Sequence, residues 1–304
     1  ELFDFIIGRQ RSVGIQDPVN VNATELMGKI FDGLEESGYP KEDTGYLLTR
    51  LTFCLFADDT GIFDPPSILT EYLKNRIAPD GTDLGPKLFQ LFQVLDTPED
   101  QRSTNLDMEL AKFPYINGHL FQHKLRNIPD FNSKMRDLLI EASEFNWKDV
   151  SPAIFGSLFQ SVMDREERRE LGAHYTMEEN ILKLIKPLLL DELTGEFERI
   201  NSRKDKHRIS ELEKFQDKLA NLKFLDPACG AGNFLIIAYR EIRELELKII
   251  LEIHGKGNQR LDSSILSKVD VDQFYGIEIV EFSARIAEVS LWMMDHLMNE
   301  KLGE

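Results

Sequence analysis

Phe224-Leu225-Asp226-Pro227-Ala228-Cys229-Gly230-Ala231-Gly232-Asn233-Phe234-Leu235 passes from apolar to acidic to glycine-rich within one short stretch. Phe224 and Leu225 end in an acid, and Pro227, Gly230 and Gly232 then make a turn. The amphipathic segment from Phe234 to Leu251 follows. That order is strand, glycine loop, helix. In an open α/β sheet such a loop receives a nucleotide-like ligand, because ligands sit beyond the carboxyl ends of the strands and only glycine lets the backbone come so close.

Two features point away from a dinucleotide. The G-x-G-x-x-G fingerprint needs a third glycine where Leu235 stands. Asp226, at the strand end, would repel a pyrophosphate, yet it suits a ligand carrying an ammonium and a sulfonium. The competing reading is a structural turn or another nucleotide site. The string D-P-A-C-G-A-G-N-F is far more specific than a lone G-x-G, and it resembles motif I of class I S-adenosylmethionine-dependent DNA methyltransferases of the amino-group type.

Two further elements bear on the same pocket. Gly172-Ala173-His174-Tyr175-Thr176 precedes an apolar-periodic segment, and Thr176 with Glu179 makes a capping box. Taken alone it is a well-capped helix start; upstream of the glycine loop it resembles motif X of the same enzymes. Downstream, the strand from Val271 ends at Glu278, a single carboxylate able to accept from both hydroxyls of a ribose. It lies further from the first loop than the usual ~20 residues, and a polar insertion near 254–259 accounts for the excess. The resemblance implies S-adenosyl-L-methionine as cofactor, held by Ala173, Tyr175, Thr176, Asp226, Pro227, Ala228, Gly230, Gly232, Asn233, Phe234, Glu278 and Ile279, with no metal. Cys229 is expected to pack behind the turn rather than act as a nucleophile.

Around this stretch the chain, 304 residues long, is large enough for two domains. Residues 1–150 read as helical and 151–304 as the cofactor-binding part. Tyr46 to Ala57 is apolar nearly all round and should be a buried central helix. Asn22 and Glu25 form a plausible capping pair before it. Asp58-Asp59 reads as a solvated helix end, with Gly61 available for a left-handed cap. Asp64-Pro65-Pro66-Ser67 is similar to the catalytic [DNS]-P-P-[YFW] string, but Ser67 offers no aromatic face for a flipped base and the flanks read as helix, so Ser67 is placed near an N-cap. Leu88, Leu91, Phe92 and Leu95 mark one helix, and Leu138, Leu139 and Ala142 another. His119 and His123 stand four apart with no third ligand nearby. Ser151-Pro152 starts a helix whose charged end carries Arg165, Arg168 and Arg169, interleaved with acids as on a solvated face. Residues 193–210 read as an exposed charged connector. The last helix, Phe282 to Leu297, is expected to pack through Ile286, Val289, Leu291 and Trp292.

The net charge of −17 opposes non-specific nucleic-acid binding by these residues as a whole. No apolar run approaches the ~20 residues of a membrane span. Two cysteines, Cys54 and Cys229, fit a reducing cytoplasm without structural disulfides. The chain opens at Glu1, in mid-pattern, as an excised piece of a longer protein would.

Residues 51–63 (LTFCLFADDTGIF), 113–121 (FPYINGHLF) and 151–163 (SPAIFGSLFQSVM) running into 172–176 (GAHYT) extend the likeness over the whole chain. It resembles the fused type IIL restriction-modification enzymes. The resemblance implies a helical spacer domain followed by the N-terminal part of an α/β Rossmann-like class I methyltransferase domain, with only two strands of an incomplete sheet. It also implies an adenine-N6 DNA methyltransferase as parent, touching double-stranded DNA through parts outside this chain, and a fragment inactive alone for want of an N-P-P-[YF] string. Bare strand edges are expected to promote self-association. The reading from another class is a helical interaction or linker module whose attached half-domain has no cofactor affinity.

Overall fold

The computed structural model describes residues 18–116, 120–122, 125–156, 178–254 and 266–303. The first part is helical: α1 (Pro18–Glu36), α2 (Lys41–Asp59), α3 (Ile68–Arg76), α4 (Leu84–Leu95) and α5 (Ser133–Ser143). Helix α2 is its axis, as the all-round apolar sequence requires, with Leu47, Leu48, Leu51, Cys54, Leu55, Phe56 and Ala57 buried. Its polar members are satisfied locally. Thr49 and Thr52 hydroxyls donate to the carbonyls four residues back. Arg50 lays its guanidinium over the Phe92 and Phe121 rings, 5.4 and 5.6 Å from their centroids, and donates to the Leu120 carbonyl.

Three expectations change here. Asn22 lies inside α1, so it caps nothing. Asp58 is buried rather than solvated: its carboxylate accepts from the Leu69 and Thr70 amides at 2.8 and 3.0 Å, capping α3 from another helix. Ser67, at the capping position, has φ 65° and makes no side-chain cap. Gly61 does adopt the left-handed conformation, at φ 81°.

Helix α6 (Glu178–Ile185) widens into a π-turn over Lys186–Leu190, where Pro187 lacks the N–H of a regular turn. Helices α7 (Asp191–Asn201) and α8 (Arg208–Ala220) then replace most of the exposed connector. Leu193, Phe197 and Ile200 share one buried face of α7, a helical stripe that the surrounding charges obscured.

Strand β1 (Phe224–Asp226), helix α9 (Asn233–His254) and strand β2 (Phe274–Gly276) form a parallel βαβ unit, Leu225 pairing with Tyr275. Phe224 and Phe274 stack 4.5 Å apart on the inner face, where Tyr239 of α9 meets Phe274 edge-on. Side chains alternate across a strand, so Leu225 and Tyr275 fall on the other face, 63% and 49% exposed.

A buried polar clasp sets where β2 begins. The Glu246 carboxylate of α9 accepts from the amides of Lys268 and Val269, the Ser267 hydroxyl and the Gln216 amide. Arg243, one turn earlier, donates to the Val269 carbonyl and to Asn299. Gln273 donates to the Leu219 and Leu222 carbonyls, tying β2 to the end of α8.

Helix α10 (Glu281–Gly303) lies between the two parts. Ile286 and Met293 join the helical core, while Leu291, Met294 and Met298 join that of α9. With both stripes occupied, Trp292 falls on the third side and is 56% exposed, not packed as the sequence suggested. Among the described residues, no helix is long and apolar enough to cross a membrane.

Candidate functional site

The glycine loop leaves β1 at Asp226 and enters α9 at Asn233. Four of its amides, those of Ala228, Cys229, Gly230 and Gly232, are hydrogen-bonded. Ala228 N–H donates to Asp226 Oδ1, Cys229 N–H to the Ile277 carbonyl, and Gly232 N–H to the Cys229 carbonyl. Ile277 N–H returns to the Asp226 carbonyl at 2.9 Å, so the two strand ends remain paired beyond the sheet. Gly230 and Gly232 hold φ of 54° and 82°, where a side chain would be strained. Their surroundings differ. Nothing lies within 4 Å of where a Gly230 Cβ would stand, whereas a Gly232 Cβ would meet Ala287 of α10 at 2.7 Å.

Glu278 is part of the same arrangement. Its Oε2 accepts from Gly230 N–H at 2.9 Å and its Oε1 from Val280 N–H at 2.9 Å. The bond to Gly230 joins the ends of both strands across the crevice where a doubly wound sheet takes its ligand. Ile279 follows, 93% exposed, an apolar side chain that no packing in the described fold explains. Cys229 is buried against Gly276; burial, then the Asp226 and Glu278 carboxylates, push its thiol up, the opposite of an activated nucleophile.

Pro227, Ala228, Gly230, Gly232, Glu278 and Ile279 thus lie on the two strand-to-helix loops, with Asp226 at the end of β1 and Asn233 and Phe234 at the start of α9. Ala173, Tyr175 and Thr176 lie outside the described residues, as do Arg165, Arg168, Arg169, His119, His123 and the insertion at 255–265. Sequence reasoning passed over Gly156 and Ala287, each of which comes close to the loop. A Gly156 Cβ would stand 2.7 Å from the Ala231 methyl and 2.9 Å from Asn233 Oδ1. Small residues at a close approach carry no spacing signal. Asn233 itself is buried, and its Oδ1 has no hydrogen-bond partner.

A family model described as the MmeI DNA-methyltransferase domain matches residues 199–304, and one described as the MmeI helicase spacer domain matches residues 42–121. DNA methyltransferase A of Bacillus subtilis is 39% identical across 94% of this chain and 32% of its own length. A Methanocaldococcus jannaschii protein, provisionally named a type II restriction enzyme and methyltransferase, is 27% identical across 81% of this chain and 24% of its own. A solved structure of the type IIL restriction-modification enzyme MmeI in complex with DNA is 51% identical and superimposes with a TM-score of 0.82, over 94% of this chain and 37% of that one. The chain therefore spans a third or so of the relatives it matches. With the glycine loop and the helices around α2 in place, the chain carries MmeI-like sequence, matching the helicase-spacer domain over residues 42–121 and the DNA-methyltransferase domain over residues 199–304.

Proposed function

We propose that this chain supplies the cofactor-binding half of an S-adenosylmethionine-dependent DNA adenine-N6 methyltransferase. The observation that carries the reading is the bond from Gly230 N–H to Glu278 Oε2, which brings the glycine loop and the second acid to one crevice. The donor set suits a sulfonium nucleoside. Each Glu278 oxygen uses one lone pair on a backbone amide and keeps another for a ribose hydroxyl. Asp226 supplies negative charge beside the loop, Ile279 offers an apolar surface to a base, and Gly230 leaves its outer side open. Asn233, Pro227, Ala228 and Phe234 shape the turn, and Ala173, Tyr175 and Thr176 are assigned to the methionine end. When bound, the sulfonium brings an already activated methyl, so the protein's contribution is orientation and exclusion of water.

The chain has no N-P-P-[YF] string, and we assign base insertion and contact with double-stranded DNA to other parts of a longer protein, in keeping with the acidic charge. Among the described residues, the sheet has two strands and an exposed face at Leu225 and Tyr275, which supports self-association of this piece.

Isothermal titration with S-adenosylhomocysteine tests the reading. Heat of binding is expected from the wild-type chain, and its loss in Gly230→Asp, whose carboxylate would point into the open side of the loop. A wild-type chain that gives no heat would overturn it in favour of a spacer module without cofactor affinity.

A further inference from the structure

A loop with two glycines at positive φ is intrinsically loose, so something outside it must hold it ready for a ligand. The sheet contributes little, being two strands of three residues. The close contacts come instead from two elements rooted in the helical core. Gly156 follows Ile154 and Phe155, both buried in that core. Ala287 faces Gly232 from α10, whose Ile286 and Met293 are buried in the same core. Ala231, in the loop itself, belongs to it too.

Helix α10 is fastened to α2 at both ends. The Phe282 ring fills the notch over Gly45, where a Cβ would be 2.7 Å from the ring edge. At the other end His296 Nε2 and the Thr60 carbonyl are 2.8 Å apart. A displacement of α2 would therefore reach the glycine loop through one rigid helix rather than through the sheet.

We propose that Gly156 and Ala287 are positioning residues that clamp the glycine loop, and that the helical spacer, through them, is a working part of the cofactor site. The assignment of the loop to S-adenosylmethionine is the reading given above; the clamp itself rests on contacts alone. Because coupling is reciprocal, occupancy of the loop should also be felt in α2.

The test is a compensating exchange in this chain. Gly156→Ala adds a methyl where Ala231 already has one, and Ala231→Gly removes the opposing methyl. Hydrogen exchange at the Cys229, Gly230 and Gly232 amides, each hydrogen-bonded in the loop, should quicken about tenfold in Gly156→Ala and return toward the wild-type rate in the double variant. Ala287→Val, pressing on Gly232, should quicken the same amides. Leu193→Ala, a core truncation in α7 outside the helical core, serves as the destabilised control and should leave them unchanged. Affinity for S-adenosylhomocysteine should follow the same pattern, about tenfold weaker and then restored. If the wild-type chain binds no S-adenosylhomocysteine, the cofactor reading falls while the exchange rates still decide the clamp. Unaltered loop exchange in both Gly156→Ala and Ala287→Val, or equal quickening in Leu193→Ala, would overturn it.

Discussion

Helix α2 and strand β1 each organise their half of the molecule, yet α2 is buried on nearly every side while β1 shows Leu225 to water among the described residues. The helical half closes itself, because five helices with periodic apolar stripes can cover one another. In the α/β half, among the described residues, α9 packs on both strands and Leu225, Tyr275, Ile277 and Ile279 are exposed. What the second half lacks in apolar cover it replaces with fixed polar bonds, those gathered by Glu246, Arg243, Gln216 and Gln273. The contrast teaches that the geometry at Glu278 is set by a polar clasp behind the sheet and by helices beside it, with little help from the ladder itself.

That contrast can be broken first at the clasp. Glu246→Ala would strip the Lys268 and Val269 amides of their acceptor and leave Arg243 buried without its adjacent carboxylate. A loss of about 3 kcal/mol is expected in urea denaturation, and a loss under about 1 kcal/mol would mean that apolar packing holds this half after all. In the helical half the corresponding blow is apolar. Trp147 is fully buried and donates from Nε1 to the Ala142 carbonyl, so Trp147→Ala should cost about 3 kcal/mol, read by circular dichroism.

A smaller effect sharpens the comparison by pH. Burial raises the Asp58 acid above its ordinary 3.8, outweighing the amides that it accepts from. Its contribution to stability is therefore complete below the unfolded-state value and fades as pH rises through the higher folded-state value. Asp58→Asn, uncharged throughout, should lose that slope; denaturation from pH 3.5 upward should show the wild type losing stability toward neutral pH while the variant holds level. An identical slope in both proteins would place the burial cost elsewhere. The smallest effect belongs to the bare face. Leu225→Lys should change stability by no more than about 0.5 kcal/mol, yet shift sedimentation toward the monomer. An unaltered sedimentation profile would remove that face from any self-association.

The legible features were those with a local cause. The acid-turn-glycine order fixed β1, the loop and α9, and an all-round apolar run fixed α2. Glu278 was legible as the acid after the next apolar run, but the strand expected from Val271 to Glu278 is only Phe274–Gly276, because Asp270 caps a 3-10 turn over Val271–Gln273. The misplaced features depend on partners distant in sequence. Asp58 sits at the end of one helix and looks solvated until α3 arrives to be capped by it. Charge density hid the Leu193, Phe197 and Ile200 stripe. Trp292 was counted as core because α10 has two apolar faces, and a single period cannot say which side is left over. Gly156 and Ala287 were silent for a simpler reason, since what matters about them is the side chain they lack.

The fastening of Ser267, Lys268 and Val269 to α9 also bears on how such a chain can vary. Whatever the polypeptide does between His254 and Leu266, it must come back to the same anchor before β2 starts, so additions or deletions there are absorbed upstream of the anchor. A change in length at that point should therefore be evolutionarily inexpensive, leaving Glu278 the same reach to Gly230 however far the chain has wandered in between.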